Sequence, residues 1–324
     1  MLKKRPNFVI FLTDQHRADL LGCAGHPVLR TPHIDSIAER GVRFDRFYVA
    51  NPVCMPNRAS LMTGRPSSVH GVRSNGLPLP MDEVTFVELL RDAGYDTVLV
   101  GKSHLQNNTG LPPKLEWPPA PATHRAPAPE LAQSRRDHLD GPLYNQERRR
   151  DWDDPDTRVT LPFYGFGQVE LATGHGDLVE GNYMAWVRSK GADVRALRGP
   201  QHALPHENSC PQAWRTAVPE ELYPSAYVAE KSCEVIERLS QQQDKPFFCW
   251  CLSLIRTTRS RHPAATGTCT ALKTCRPSLP TPTPTGPCHR MCRPCWTSVK
   301  GAVRSLAASG PSLSASKRHA RHTR

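Results

Sequence analysis

The sequence predicts an α/β fold, a mostly parallel sheet sandwiched by helices. Two short apolar runs indicate the sheet, Phe8 to Leu12 near the start of the chain and Lys245 to Cys251 much later. Runs of this length, rich in aromatic and β-branched residues, are typical of strands that are covered on both faces. Segments with helical spacing alternate with strand-like segments between them, as in βαβ units. The 324 residues allow one large domain or two modest ones.

Composition excludes several classes of protein. A hydrophobic content of 38%, with 9 Phe, 7 Tyr and 6 Trp, is enough for a core and argues against a disordered or fibrous chain. No apolar run approaches the roughly 20 residues of a membrane-spanning helix, so we expect no membrane partner. The apolar stretch behind the basic Met1 to Arg5 is too short for a secretion signal, which leads us to expect a cytoplasmic protein.

The formal net charge of +12 is concentrated in one segment. Cys251 to Arg324 contains 13 Lys and Arg, no Asp or Glu, and 6 of the 11 Cys. The rest of the chain is therefore close to neutral. We predict a folded catalytic domain over residues 1–251, followed over residues 252–324 by a basic tail, rich in Pro, Ser, Thr and Arg, that lacks a packed fold.

Polar residues follow two of the predicted strands. Asp14-Gln15 comes soon after the first apolar run. A helix predicted over Thr85 to Ala93 leads into a strand from Tyr95 to Val100, which delivers Lys102-Ser103-His104 to the same edge. Because ligands bind at the carboxyl edge of open α/β sheets, these residues predict a site there.

The segment from Asn51 to Arg65 is the most informative part of the chain. Pro56 suits the first turn of a helix that ends at Gly64. Cys54 then lies just before the helix N-terminus, where unpaired N–H groups and the helix dipole favour negative charge. Arg58, one turn later, can point to the same place. The segment therefore predicts a site for a thiolate, a sulfate or a phosphate group.

The pattern Cys-x-Pro-x-Arg followed by Leu-x-Thr-Gly resembles the signature of the type I sulfatases, within the alkaline-phosphatase-like superfamily. Composition alone gives Cys-x-Pro-x-Arg in about one such chain in ten, so the bare motif is weak. Its surroundings strengthen it, because Asp14-Gln15, Thr31 to Asp35 and Gly101 to His104 fall where the family has counterparts. The resemblance runs from about residue 5 to about residue 250.

This resemblance implies hydrolysis of a small-molecule sulfate ester. In the family the signature cysteine is converted to formylglycine by a formylglycine-generating enzyme, and the hydrated aldehyde attacks sulfur. Here that role falls on Cys54. The resemblance further implies that Arg58 steadies the hydrate, that Lys102 and His104 bind the sulfate and the leaving side, and that Asn75 contacts the ester.

The resemblance also implies a metal site. Asp14 and Gln15 match ligands of a divalent cation, usually Ca²⁺, which prefers oxygen donors. One departure is Asn57, where the commonest version of the signature has serine. The Cys-x-Pro-x-Arg core is intact, so conversion of Cys54 stays possible.

The middle of the chain offers further elements. We expect a strand over Tyr164 to Leu171 and helices over Tyr183 to Lys190 and Pro224 to Gln242. Arg135 to Asp156 is strongly charged and is predicted to be solvated. We interpret His175-Gly176-Asp177 as an ordinary strand-to-loop turn and leave it out of the site.

After Cys251 the chain departs from the family, which there carries a histidine loop and later an Asp-Asn or Asp-His metal pair. Permitted codons read one base out of register from Cys251 spell SFPDPHHAVTPPGRYW, which closely resembles the segment that sulfatases carry after this strand. We therefore interpret the tail as a shifted reading frame. Since the later metal ligands are missing, we expect impaired turnover from this chain.

Three other interpretations of the tail stay open. Cys288, Cys292 and Cys295 beside His289 suggest zinc, but a second paired Cys-x-x-Cys is lacking. A basic arm for nucleic acid fits the charge, but only Trp296 could stack on bases, so we do not expect a nucleic-acid partner. A disordered extension rich in Pro, Ser and Thr is the third.

Two alternative functions follow. A phosphonate monoester or phosphodiester hydrolase of the same superfamily shares the Asp14-Gln15 pair, although Lys102-x-His104 favours a sulfatase. A non-catalytic protein with a basic, nucleic-acid-binding tail is the alternative from another class, and its binding would be sensitive to salt.

Overall fold

The computed structural model describes residues 5–110, 139–154, 156–207, 214–242, 244–253 and 260–261. Its strands, in chain order, are β1 (Phe8–Thr13), β2 (Asp96–Gly101), β3 (Gln168–His175), β4 (Leu178–Gly181), β5 (Trp214–Arg215), β6 (Phe247–Ser253) and β7 (Ser260–Arg261). Five of them form one sheet in the order β1-β6-β2-β3-β4, and β5 pairs with β7 in a second, two-stranded sheet.

The α-helices in these residues are α1 (Pro32–Arg40), α2 (Cys54–Thr63), α3 (Ser67–His70), α4 (Phe86–Asp92), α5 (Asn182–Ser189) and α6 (Pro224–Ser240). Short 3₁₀ turns lie at Gly22–Ala24, Pro142–Tyr144, Arg149–Asp153, Arg195–Leu197, Pro200–His202 and Glu220–Leu222. None of the helices in the described ranges combines the length and the apolar character that crossing a membrane requires.

The main sheet is mostly parallel, as predicted. β1, β6, β2 and β3 run parallel to one another, and only β4 is antiparallel to its neighbour β3. Helices cover both faces. Alternate residues of β2 and β6 point to opposite sides, so Val98 and Cys249 join the cluster beneath α5 and α6, while Leu99 and Trp250 join the cluster beneath α2. Burial of both faces explains why these two strands are almost wholly apolar.

The position of β1 differs from the prediction. Its apolar run predicted a strand covered on both faces, yet among the described residues β1 lies at one edge of the sheet and its side chains are partly exposed. Phe8 and Phe11 are 43% and 48% exposed. The apolar run identified the strand correctly, but a continuous apolar run does not distinguish an edge strand from a central one.

Local sequence signals set several element boundaries. Thr85 and Glu88 form a reciprocal capping box that starts α4. Gly64 takes a left-handed conformation, with φ of 67°, and ends α2. That helix begins at Cys54 itself, so the cysteine belongs to its first turn. β3 starts four residues later than predicted and continues to His175.

Candidate functional site

The carboxyl ends of the parallel strands gather the predicted polar residues. Asp14 directly follows β1, and Lys102 and His104 directly follow β2. His175 is the last residue of β3. Because the strands are parallel, their ends lie at one edge of the sheet, and the N-terminus of α2 faces that edge with Cys54.

Asp14 is the counter-ion of two buried cations. The Lys102 Nζ donates to Asp14 Oδ2 at 2.6 Å, and an Arg58 Nη2 lies 3.5 Å from Asp14 Oδ1. The exposed fractions of these residues are 0% for Lys102, 4% for Arg58 and 5% for Asp14. A buried charge needs a partner, and here one carboxylate serves two cations.

The pKa values of Lys102 and Asp14 reflect both their burial and the neighbouring charges. Burial and, less strongly, the nearby Arg58 together lower the pKa of Lys102 to about 8, against the opposing effect of Asp14. Burial would raise the pKa of Asp14, but Lys102 and Arg58 outweigh it and hold that pKa below its usual value. Asp14 is therefore an ionised carboxylate.

Cys54 is the first residue of α2 and is half-buried. Arg58 donates through Nη1 to the Cys54 carbonyl at 3.2 Å, so the two residues are tied within one helical turn. The Oδ1 of Asn75 accepts the Met55 N–H at 3.1 Å. Asn75 thus satisfies a backbone donor at the helix start, one residue from the thiol. Its contact with an ester stays a prediction.

Two histidines adjoin the thiol. The Sγ of Cys54 and a ring nitrogen from each of His104 and His175 lie within 4.8 Å of one another. The two imidazole rings are nearly perpendicular, at 86°, with centroids 5.0 Å apart. Asn108 places its Nδ2 within 2.7 Å of His104 Nε2 and 2.9 Å of Nδ1, which holds the ring in place.

His175 was missed by the sequence analysis. The predicted strand ended at Leu171, whereas the real strand continues to His175 and delivers it to the edge that also receives His104. The turn that follows is the one predicted, since β4 begins at Leu178 and pairs back on β3. The available signal was a histidine just beyond an apolar run, at the end where polar site residues collect.

Glu147 was also missed, because its segment was predicted to be solvated. That prediction is wrong for this residue, which is fully buried. Its carboxylate accepts the backbone N–H groups of His104, Leu105 and Gln106 at 2.6, 2.9 and 3.0 Å. Burial raises the pKa of Glu147, against the lowering effect of these donors. The Glu147 carboxylate thus accepts the hydrogen bonds that water would otherwise accept, and it fixes the backbone that presents His104.

The backbone is strained where these residues emerge. Gln15 and His104 have positive φ angles of 45° and 55°, a left-handed conformation that side chains disfavour by about 1 kcal/mol. At Gly101 only glycine fits, because its φ is 98° and a Cβ would lie 2.1 Å from the Leu252 carbonyl oxygen. Such strain commonly accompanies functional sites.

The described residues do not by themselves fit a calcium ion. Ca²⁺ takes six to eight oxygen ligands. Asp14 already neutralises Lys102 and Arg58, and Gln15 adds a single amide. A dication placed here would face two fixed positive charges, so the part of the site that the structure describes favours anions.

Comparison with known proteins identifies the family of this chain. The family model described as Sulfatase matches residues 6–254. The N-acetylglucosamine-6-O-sulfatase of Bacteroides thetaiotaomicron is 40% identical over 102 residues, which are 32% of this chain and 18% of the relative. The ulvan-active sulfatase of Formosa agariphila is 42% identical over 104 residues, 32% of this chain and 20% of the relative.

Among solved structures, the phosphonate monoester hydrolase of Agrobacterium radiobacter matches with a TM-score of 0.50 and 27% identity, over 78% of this chain and 41% of that one. The chain therefore spans a fifth or less of the length of the two curated relatives and under half of this structure. The family model, in contrast, covers most of the chain and includes every residue of the site. On this evidence the chain belongs to the sulfatase family.

Proposed function

We propose that the site hydrolyses small-molecule sulfate esters, with a nucleophile derived from Cys54. The observation that supports this function is the meeting of Cys54, at the start of α2, with the side chains of Arg58, Lys102 and His104. A potential nucleophile and positive charges then lie at one place, as attack on an anionic ester requires.

The charges favour a sulfate group. Lys102 and Arg58 supply two positive charges against the single negative charge of Asp14. The Nε of Arg58 is buried and has no hydrogen-bond partner among the described residues, so it can donate to a bound anion. In the first turn of α2 the N–H groups of Met55 and Asn57 are bonded to Asn75 and Val53, and Pro56 has none, so the helix favours an anion beside Cys54 through its dipole.

Each residue has a distinct role in this proposal. The formylglycine derived from Cys54 would supply a hydrated aldehyde as the nucleophile toward sulfur. Arg58 fixes the first turn of α2 through the Cys54 carbonyl and attracts the anion. Lys102, held by Asp14, binds sulfate oxygens and offsets their charge. His104 binds the leaving side, where an imidazole can protonate the departing oxygen.

Conversion of Cys54 needs a partner, a formylglycine-generating enzyme. The Cys-x-Pro-x-Arg core is present, with Asn57 in the variable position. The two curated relatives described above have names that refer to different substrates, an N-acetylglucosamine sulfate and ulvan. The proposal is therefore made for sulfate esters as a class.

A phosphonate monoester hydrolase is the second candidate, and the similarity to the solved structure of that activity favours it. A sulfate ester and a phosphonate monoester are both singly charged anions, so the charges of the site suit either and the substrate itself has to be tested. Comparing 4-nitrophenyl sulfate with 4-nitrophenyl phenylphosphonate as substrates separates them. Preference for the phosphonate would replace the sulfatase proposal.

The first test is made on the full chain, co-expressed with a formylglycine-generating enzyme. Peptide mass spectrometry should find formylglycine at position 54, and calorimetry should detect binding of inorganic sulfate. Arg58→Ala should weaken that binding about tenfold or more, since it removes a buried charge-assisted donor. Arg65→Ala is the matched control, because Arg65 is half-exposed and pairs with Glu83 away from the site.

Hydrolysis is tested with 4-nitrophenyl sulfate. We expect this chain to turn over far more slowly than a complete sulfatase, and Cys54→Ala should remove the residual rate. Cys23→Ala is the control, because Cys23 is also half-buried but lies beside Asp35. Sulfate binding that Arg58→Ala leaves unchanged, or hydrolysis that survives Cys54→Ala, would contradict the proposal.

A further inference from the structure

We propose that the unconverted thiol of Cys54, together with His104 and His175, binds a zinc-like divalent cation. One thiolate and two imidazoles are a donor set that Zn²⁺ and Co²⁺ favour. The three ligand atoms lie within 4.8 Å of one another. In a tetrahedral zinc site such atoms are about 3.5 Å apart, so small side-chain rotations would complete the geometry.

The scaffold holds all three ligands on fixed elements. Cys54 opens α2, His175 ends β3, and His104 follows β2 on a backbone that Glu147 binds. The two imidazole rings are nearly perpendicular, so each presents its nitrogens in a different plane. The Nδ2 of Asn108 contacts both ring nitrogens of His104, so binding of a metal through either nitrogen requires this amide to move aside.

The surrounding charges select the type of cation. Lys102 and Arg58 lie next to the cluster and disfavour any cation, while Asp14 is already paired with both. Among the described residues of the cluster, a hard ion such as Ca²⁺ would find only Asp14, whose carboxylate is already paired. A softer ion gains strong bonds to sulfur and imidazole nitrogen, which can offset the repulsion. The site is thus distinct from the expected Asp14-Gln15 metal pair.

Binding requires no oxidant. The S–H bond of Cys54 breaks, its proton goes to the solvent, and the sulfur electron pair forms the metal–sulfur bond. The lone pairs of the two neutral imidazoles form the other bonds. Conversion of Cys54 to formylglycine removes the sulfur, so the metal-bound form and the formylglycine form exclude each other. The metal site therefore does not depend on the proposed hydrolysis.

Alkylation resolved by peptide provides the test. The full chain is prepared without a formylglycine-generating enzyme, confirmed by mass spectrometry as the thiol, and treated with iodoacetamide with and without ZnCl₂. Because a metal-bound thiolate is a poor nucleophile, Zn²⁺ should slow alkylation of Cys54 about tenfold or more. Cys23 is the internal control, a half-buried thiol outside the cluster. CaCl₂ should protect neither residue.

Variants then assign the ligands. His175→Ala should abolish the protection of Cys54, whereas His33→Ala, a histidine on α1 outside the cluster, should leave it intact. Equal rates for Cys54 with and without Zn²⁺ in the folded wild-type chain would overturn the proposal, whatever the variants do. Full protection in His175→Ala would overturn the assignment of His175. Formylglycine formation and sulfate binding are separate measurements, so failure of the metal site is distinguishable from failure of the hydrolase.

Discussion

The two sides of the candidate site are unequally built. On one side, Arg58, Lys102 and His104 surround Cys54 with buried charge, a helix N-terminus and backbone held by Glu147. On the other, Asp14-Gln15 offers one carboxylate, already paired with two cations, and one amide. An anion needs only a few convergent donors, whereas Ca²⁺ needs six to eight oxygens. The described residues therefore complete the first kind of site and leave the second short of ligands.

The largest effect, on the rate of hydrolysis, should come from supplying the ligands that the Asp14-Gln15 side lacks. If the tail is a shifted reading frame, a gene corrected by one base near codon 251 should encode a chain with the later metal ligands. We expect its rate on 4-nitrophenyl sulfate to exceed that of the present chain by about a thousandfold, since metal ions contribute several kcal/mol to such reactions.

The control for this correction is Cys54→Ala in the corrected chain, which should lose the gained activity. Sequencing the coding DNA provides an independent check. A gene in which neither a one-base insertion nor a one-base deletion near codon 251 yields the family pattern would contradict the prediction.

The next effect concerns Asp14 as a counter-ion. Asp14→Asn leaves Lys102 and Arg58 buried without a negative partner, so we expect the free energy of unfolding to fall by about 3 kcal/mol. Urea denaturation measures it. Asp96→Asn, which breaks an exposed pair with Lys245, should cost less than about 1 kcal/mol. Equal losses in the two variants would show that Asp14 is not the counter-ion described here.

A smaller effect on stability is expected at Glu147, on the side of the site that holds Arg58, Lys102 and His104. Glu147→Gln keeps the shape of the side chain but loses its charge and turns one acceptor oxygen into an NH2 group, so the N–H groups of His104, Leu105 and Gln106 can no longer all keep an acceptor. We expect the free energy of unfolding to fall by about 2 kcal/mol, with weaker binding of inorganic sulfate. Glu83→Gln, beside the half-exposed Arg65, is the control and should change neither quantity measurably.

The smallest effect should come from Asn75. Asn75→Ala removes the acceptor of the Met55 N–H at the start of α2, which should lower the free energy of unfolding by about 1 kcal/mol. Asn51→Ala removes a comparable bond to the Val53 N–H just before the helix and should cost less, because that bond is exposed. Thermal unfolding of both variants measures the difference. A larger loss from Asn51→Ala would show that Asn75 does not stabilise the helix start.

Much of the fold could be predicted from local signals. The apolar runs indicated β1 and β6, the helical spacing indicated α6, and Pro56 with Gly64 indicated α2. These signals are short-range, since capping, turn geometry and periodicity act within a few residues. The family resemblance then added roles for Cys54 and its neighbours that the residues alone leave open.

The failures share a physical cause, which is contact between residues far apart in the chain. Glu147 is buried because three backbone N–H groups from residues 104–106 replace water, and nothing in a run of charged residues shows this. His175 reaches the site because β3 continues to that residue while pairing with β2 through its first half. Phe8 and Phe11 of β1 stay partly exposed although their run is as apolar as that of the buried β6, so coverage of a strand is not readable from the run alone.

The hydrogen bonds that Glu147 accepts from the His104 backbone have a consequence for how well the fold tolerates changes in chain length. The carboxylate joins chain on either side of residues 111–138, so the presentation of Lys102 and His104 is anchored independently of what lies between. Lengthening a connection costs little free energy, about 0.6 kcal/mol for each doubling. Changes of length in that interval should therefore cost little stability and leave the backbone of His104 in place.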